Sequence, residues 1–307
     1  MTASRAEIGR TAERSSDEGA AATRPPQKAP WLRVRVRLTP EFEGVRRTVE
    51  AQRLHTVCFS AACPNIGECW SRGTATFMIG GNVCTRRCGF CDVATGRPAA
   101  LDPREPERVA EAVETLGLTF AVVTCVARDD LPDGGAGQMA RTVRAIRARC
   151  PGTGVEVLIA DYKGSESALR TVLDAGPDIL NHNLETVERL TRRVRVAGRY
   201  DRSLAVLRRA AELRPDLPTK SGLMLGLGER DPEVLRALTE LLQAGVSLLT
   251  LGQYLQPSSS HLPVARYVPP DEFEVWAERA RALGFRDVAA GPLVRSSYHA
   301  EALAART

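Results

Sequence analysis

The chain predicts an α/β fold in which a parallel sheet, with helices outside it, curls into a barrel or partial barrel. Three observations predict it. Short apolar runs bounded by turn residues recur six times, at 75–79, 120–126, 155–160, 179–184, 221–227 and 248–254. Amphipathic stretches with helical spacing lie between them, near 105–116, 137–149, 166–174, 201–213 and 231–243. Polar residues gather at the C-terminal end of each run, which is where a parallel barrel places its working groups.

The elements follow in order. Residues 1–29 are rich in Ala, Ser, Thr, Arg and Glu and end in Arg24-Pro-Pro-Gln-Lys, the composition of a disordered tail. From Trp31 to about Cys69 the chain carries Pro, Gly and three Cys without a clear period, which suits a segment organised by a bound group. The first apolar run leads into a loop holding Cys84, Cys88 and Cys91, and the second into Arg128-Asp129-Asp130. Asp161 follows the third, Asn183 and Glu185 end the fourth, Gly228-Glu229 follow the fifth and Gln253 ends the sixth. A last helix near 271–283 and a short run at 287–290 complete the pattern.

Composition narrows the function. With 307 residues, 43% hydrophobic and 26% charged, the chain can bury one substantial core or two small ones. The net charge of +5, from 42 Lys and Arg against 37 Asp and Glu, is too small and dispersed to argue for nucleic acid. It suits an acidic protein partner or an ordinary mixed-charge surface. No apolar run approaches a membrane span. The early acidic residues Glu7, Glu13, Asp17 and Glu18 fit neither a secretory nor a transit leader, so a reducing cytoplasm is expected.

The eight cysteines carry the chemistry. Six form two triplets, Cys58, Cys63, Cys69 and Cys84, Cys88, Cys91. The second has the spacing C-x3-C-x2-C, and three thiolates on one short loop can bind three irons of a [4Fe–4S] cube and leave the fourth open. Zinc sites usually bring two C-x2-C pairs, and here only Cys88 and Cys91 form one. A disulfide framework does not suit so long a chain without a leader. Cys125 and Cys150 lack a partnering pattern and read as small hydrophobes.

The second triplet, with Phe90 before its last member, resembles that of the radical S-adenosylmethionine (SAM) enzymes. The first, Cys58-Phe-Ser-Ala-Ala-Cys63-Pro-Asn-Ile-Gly-Glu-Cys69-Trp70, resembles the lipoyl synthase family within that superfamily. The likeness runs from about Trp31 to Ala300. It includes Gly73-Thr-Ala-Thr-Phe-Met78, Arg128-Asp-Asp-Leu-Pro-Asp-Gly-Gly135, Asn181-His-Asn-Leu-Glu-Thr-Val187, Thr219-Lys-Ser-Gly-Leu-Met224, Thr250-Leu-Gly-Gln-Tyr-Leu-Gln-Pro257 and Arg295-Ser-Ser-Tyr-His-Ala300. The chain departs from the family pattern at Phe59-Ser60, at Val34-Arg35-Val36 and at Val196.

The resemblance implies a partial parallel (β/α)6 barrel with terminal extensions that carry an auxiliary cluster. The implied division is a tail at 1–29, an auxiliary-cluster segment at 30–72, a core at 73–284 and a closing segment at 285–307. It implies two [4Fe–4S] clusters and SAM as cofactors. Cys84, Cys88 and Cys91 would hold the cluster that chelates SAM. Cys58, Cys63, Cys69 and a serine of the C-terminal motif, Ser297 rather than Ser296, would hold a cluster consumed as the sulfur source. Cys84, Cys88, Cys91 and Ser297 form the implied catalytic set. Asn183 and Glu185, in an element that also resembles biotin synthase, would bind SAM through its ribose hydroxyls, although a helix N-cap explains the same residues locally. Gly226 and Glu229, in Gly222-x-Met224-x-Gly226-x-Gly228-Glu229, would lie beside the adenine, where glycine admits a flat ring. His182 reads as a buried, backbone-bonded histidine. Arg192 and Arg193 read as solvated, while Arg128, Asp129, Asp130 and Arg195 remain anchoring candidates.

The implied reaction inserts sulfur at C6 and C8 of an octanoyl chain on a lysine of a carrier domain. The partners would be octanoylated lipoyl domains of 2-oxoacid dehydrogenase E2 subunits and the glycine cleavage H protein, a ferredoxin or flavodoxin as electron donor, and an iron–sulfur carrier. No nucleic acid or membrane partner is expected. Two rival readings are a biotin-synthase-type enzyme on another substrate, which lacks the first triplet and the Arg-Ser-Ser-Tyr motif, and a non-catalytic iron–sulfur or zinc scaffold. Two triplets predict two cubes, so anaerobically reconstituted chain should carry about eight irons. Saturation at half that content, or with zinc, refutes the two-cluster reading.

Overall fold

The computed structural model describes residues 28–34, 39–61, 63–72, 75–298 and 300. The expected tail through residue 27, Arg35, Val36, Gly73, Thr74, His299 and residues 301–307 lie outside the described residues. Eight strands form one sheet in chain order: β1 (His55–Thr56), β2 (Thr76–Ile79), β3 (Phe120–Cys125), β4 (Gly154–Leu158), β5 (Ile179–Asn181), β6 (Thr219–Leu225), β7 (Leu248–Gln253) and β8 (Asp287–Gly291). β1 pairs antiparallel with β2, and every later pairing is parallel. The six expected strands are therefore present as β2 to β7. The run at 287–290 is a further parallel strand, in register with β7 from Leu248↔Asp287 to Gly252↔Gly291. The sheet thus crosses the expected boundary at residue 285.

Alternation along the strands separates two environments. Phe77, Ile79, Ala121, Val123, Val155, Val157, Leu249 and Leu251 face outward into apolar clusters with the helices. Their neighbours Thr76, Met78, Val122, Thr124, Leu158, Gly222, Met224, Thr250 and Gly252 line an interior cavity. The outer positions are covered by α4 (Glu105–Thr115), α5 (Ala136–Arg149), α6 (Glu166–Leu173), α7 (Glu188–Val194), α8 (Tyr200–Leu213), α9 (Asp231–Gln243) and α10 (Pro270–Leu283), which number on from three helices nearer the N-terminus. Those are α1 (Pro40–Ala51), α2 (Val57–Ser60) and α3 (Ile66–Ser71).

The N-terminal segment corrects the expectation of irregular structure. In α1, Thr39 accepts a hydrogen bond from Phe42 N at 3.3 Å and Pro40 occupies the first turn. Phe42, Val45 and Val49 fall on one face and are buried in the same cluster as Phe77 and Val109. Trp70 of α3 packs on Phe42 with ring centroids 5.1 Å apart. The segment is thus built on ordinary hydrophobic burial and shares the core of the barrel.

Below the cavity the barrel is sealed by charge. Lys220 Nζ lies 3.0 and 2.9 Å from the two oxygens of Glu156, and both side chains are completely buried. Asn181 donates to Glu156 Oε1 at 2.8 Å, so β4, β5 and β6 are tied across the interior. Removing one partner of such a pair leaves a buried charge alone, whereas removing both does not. Lys220→Met should therefore cost about 3–5 kcal/mol in urea unfolding followed by circular dichroism. The double change Lys220→Met, Glu156→Leu should recover most of it, and equal losses in the single and double variants would refute the coupling.

Candidate active site

A cavity of about 590 Å³ is lined by Cys58, Cys63, Cys69, Cys84, Cys88 and Cys91 together with Ser296 and Ser297. Three separate stretches of sequence therefore converge on one space. The loop after β2 is held on several sides: Cys84 N donates to Ala94 O at 2.8 Å, Gly96 N to Cys84 O at 3.0 Å and Gly89 N to Val194 O at 2.8 Å. Gly89 is required by close approach, because a Cβ there would stand 2.8 Å from Leu262 Cγ. His261 Nε2 lies 3.1 Å from Cys91 O on the outer side of the loop.

Arg86 fixes this loop to the sheet. It donates to both oxygens of Asp129, past β3, at 2.7 and 2.8 Å, and to Asp161 Oδ1, past β4, at 2.6 Å. Burial alone would raise Asp161, but the hydrogen bond and charge of Arg86 outweigh it and bring its carboxyl down to about 2. Its pairing is complete above the ordinary value of 3.8 and fades only as pH falls toward about 2. Arg86 is an anchor of the cysteine loop that the sequence reading missed. Arg128 has a comparable structural task, donating to Asp130, Gly80 O and Ala99 O.

In the first triplet Cys58 stands on α2, Cys69 on α3 and Cys63 in the connection between them. Thr56 caps α2 by accepting from Phe59 N at 3.3 Å, Cys63 N donates to Cys58 O at 3.0 Å, and Cys69 N to Asn65 O at 2.9 Å. The C-terminal motif is clasped to the same helix region. Asn65 Nδ2 donates to Leu293 O at 2.7 Å, and Tyr298 OH to the Glu68 carboxylate at 3.0 Å. This clasp brings Ser297 to the cavity shared with both triplets.

Burial pushes the thiols up, Cys88 to about 12 and Cys91 to about 11, with Cys58 and Cys63 moved in the same direction. Iron binding by such thiols must release their protons. Among the described residues no three His, Cys, Asp or Glu side chains converge closely enough to chelate a single metal ion. Zinc would need its thiolates about 2.3 Å from one centre.

Asn183 and Glu185 both line the cavity. They are not a helix cap: α7 begins at Glu188, with Val187 as its N-cap. Glu185 has a positive φ of 68° and its backbone bridges to β6 through Gly222 O and Met224 N, both at 2.9 Å. Its carboxylate accepts from Asn183 Nδ2 at 3.0 Å, and burial raises it against the opposing charges of Arg195 and Arg295. Asn183 Oδ1 is buried without a partner.

Gly226 and Glu229 stand elsewhere. Glu229 accepts from Gly226 N at 2.6 Å and Leu227 N at 2.9 Å, closing its own turn, and neither residue lines the cavity. Gly222 and Met224 take that position. A Cβ on Gly222 would lie 2.4 Å from Thr250 Oγ1 and 3.1 Å from Asn183 Oδ1. Gln253 lines the cavity, as does Cys125, which had read as a core residue. Cys150 sits far from it, its sulfur 4.0 Å from Ala110 O. His182 is buried between Ile159 O and Ser203 Oγ, each 2.9 Å away, and Arg192 and Arg193 are exposed.

These features fit a nucleoside cofactor beside an iron–sulfur cube. Gly222 makes room for the Thr250 and Asn183 side chains at the cavity wall, and the unpartnered amide oxygen of Asn183 offers an acceptor inside the same space. The radical SAM superfamily model matches residues 78–241. A curated lipoyl synthase from Rubrobacter xylanophilus is 56% identical over 270 residues, covering 88% of this chain and 84% of that one. The chain belongs to the lipoyl synthase family. A second member, from Shouchella clausii, is 54% identical over 276 residues, covering 90% and 89% of the two chains. Membership makes the chain a radical SAM sulfurtransferase whose cofactors are SAM and [4Fe–4S] clusters.

Solved structures share the fold at low identity. Streptococcus suis SuiB bound to S-adenosylmethionine aligns with TM-score 0.54 at 11% identity, over 73% of this chain and 54% of that chain. HydG, a maturase of the [FeFe]-hydrogenase, aligns with TM-score 0.52 at 16% identity, over 72% and 60%. The chain thus spans little more than half the length of these solved proteins.

Arg86→Lys keeps one positive charge but cannot serve both carboxylates with a planar fork. Loss of these charge-assisted bonds should cost about 3 kcal/mol of local stability. Cluster loss from the variant under a chelator should accelerate while the secondary structure by circular dichroism stays intact. An unchanged loss rate would show that the loop does not depend on this anchor.

Proposed function

We propose that the shared cavity is the place where the chain inserts sulfur at C6 and C8 of an octanoyl group carried on a lysine of a lipoyl domain. The observation that carries this reading is the convergence of both cysteine triplets and Ser297 on one space. When bound, SAM with its cluster supplies the hydrogen-abstracting radical, and the second cluster supplies sulfur. Cys84, Cys88 and Cys91 hold the first cluster, on a loop kept in place by Arg86. Cys58, Cys63, Cys69 and Ser297 hold the second, and the clasp from Asn65 and Glu68 keeps the serine within reach. Glu185 and Asn183 take the ribose, and Gly222 and Met224 border the adenine.

Met78, Val122 and Leu158 give the cavity an apolar wall that suits an alkyl tail and excludes water. A carrier-bound tail needs little affinity of its own, because docking of the carrier supplies proximity. Residues 30–72 and the segment after 285 act together as the closure of the second cluster site. The reading includes octanoylated E2 and H-protein domains as substrates, a ferredoxin or flavodoxin as electron donor, and an iron–sulfur carrier that restores the consumed cluster. No helix among the described residues is long and apolar enough to cross a membrane. The biotin-synthase-type alternative leaves the first triplet and the clasped serine without a task.

Cys88→Ala should abolish SAM cleavage, while Cys63→Ala should spare part of it and stop sulfur insertion. Deoxyadenosine and thiolated octanoyl peptide, measured together by mass spectrometry, decide this. Equal loss of deoxyadenosine in both, with the other cluster still present, would end the division of labour.

Ser297→Cys should retain the second cluster and SAM cleavage but sharply reduce dithiolated product, since thiolate is a better matched iron ligand than alkoxide and leaves less readily. Ser296→Ala should be milder. Full dithiolation by Ser297→Cys would reject the ligand assignment.

A further inference from the structure

Two arginines act on Glu185 from the cavity wall, and they are held very differently. Arg195 is buried and tied through Nη1 to Ser203 Oγ at 2.8 Å and Leu184 O at 3.4 Å, and its charge acts on Cys88. The Arg295 side chain makes one hydrogen bond among the described residues, from Nη1 to Val294 O at 2.7 Å. It has no carboxylate at ion-pair distance there, and its charge acts on Cys63.

Arg295 is nevertheless firmly placed. Val294 O presses against β7 where Gly252 leaves room: a Cβ on Gly252 would stand 2.1 Å from that oxygen and 3.4 Å from Arg295 Nη1. Val294 N donates to Gly291 O at 3.1 Å, and Tyr298 N to Arg295 O at 3.0 Å. The turn therefore delivers a guanidinium with unused N–H donors to the cavity.

The local charges do not balance. Glu185 is one carboxylate sharing the cavity with the guanidinium groups of Arg195 and Arg295, and Cys63 lines the same space. The Arg295 guanidinium lines the cavity with one hydrogen bond and no carboxylate at ion-pair distance among the described residues. A cube held by three thiolates and an alkoxide carries net negative charge, so its placement beside Cys63 would supply the missing anion.

We infer that Arg295 is a positioning residue for the second [4Fe–4S] cluster, its guanidinium being the cation beside Cys63 that retains this anionic group and sets its reduction potential. The inference rests on the assignment of Cys58, Cys63, Cys69 and Ser297 to that cluster. Removing the cation favours the more oxidised, less negative cluster, so the potential must fall.

The test uses the full chain with Cys84→Ala, Cys88→Ala and Cys91→Ala, so that the second cluster titrates alone. Arg295→Gln should shift its midpoint potential to more negative values and accelerate iron loss to a chelator by about tenfold, as loss of one charge-assisted hydrogen bond predicts. Arg295→Lys should restore most of both. The metal-free Arg295→Gln chain should melt no lower than the metal-free parent, since it has lost an uncompensated cation. An unchanged potential and chelation rate in Arg295→Gln would overturn the inference. So would a defect that lysine does not rescue and that accompanies a lower melting temperature of the metal-free chain. Cys63→Ala in the same background should lose the cluster; full retention there would overturn the ligand assignment and the inference with it.

Discussion

The fork of Arg86 between Asp129 and Asp161 is the interaction on which the site depends. One side chain from the middle of the cysteine loop spans the ends of two parallel strands, and the loop has no regular secondary structure of its own to fix it. A planar guanidinium suits the task because its geometry, rather than charge alone, dictates where both carboxylates must stand. Two further cations join them: Lys163 Nζ donates to the backbone carbonyl of Asp129 at 2.9 Å, and Arg202 Nη1 to the Asp161 carboxylate at 3.4 Å. The rim of the barrel is therefore a charge network in which the cysteine loop is one member.

A division between a face that lines the cavity and a face that packs on the helices follows from strand alternation. The helices pack on residues such as Val123 and Val157, so the outside supplies stability through burial. The inside is released from that duty and carries threonines and glycines beside the apolar Met78, Val122 and Leu158, with the Glu156–Lys220 pair beneath. Placing a sealed ion pair beneath the cavity gives the barrel a floor without filling its upper part, where the cofactors and the alkyl chain need volume.

Much of this was legible in the sequence, and the parts that were not have physical reasons. The strands of the core read clearly because each is an apolar run closed by turn residues. The cysteine triplets read clearly because their spacing is local. Helix α1 was overlooked although Thr39-Pro40 and the spacing of Phe42, Val45 and Val49 announced it, since the nearby cysteines suggested a segment ordered only by a bound group. Arg86 was out of reach because its partners lie 43 and 75 positions away, where one sequence shows no relation. Gly226 and Glu229 lie off the cavity lining for a different reason. A run of alternating glycines marks a strand with an open face, but which glycine meets the cavity depends on where the strand ends, and Glu229 is used up in closing the turn.

The clasp between the two ends of the described chain has a consequence for biogenesis. The loop after β2 meets the carboxylates that hold Arg86 as soon as Asp161 has been made, well before its later contacts at Val194 and His261. The second cluster site waits longer. Ser297 is synthesised 228 residues after Cys69, and Tyr298 must find Glu68 across that whole distance. Three thiols wait without their fourth partner for most of translation, exposed to oxidants and to stray metal.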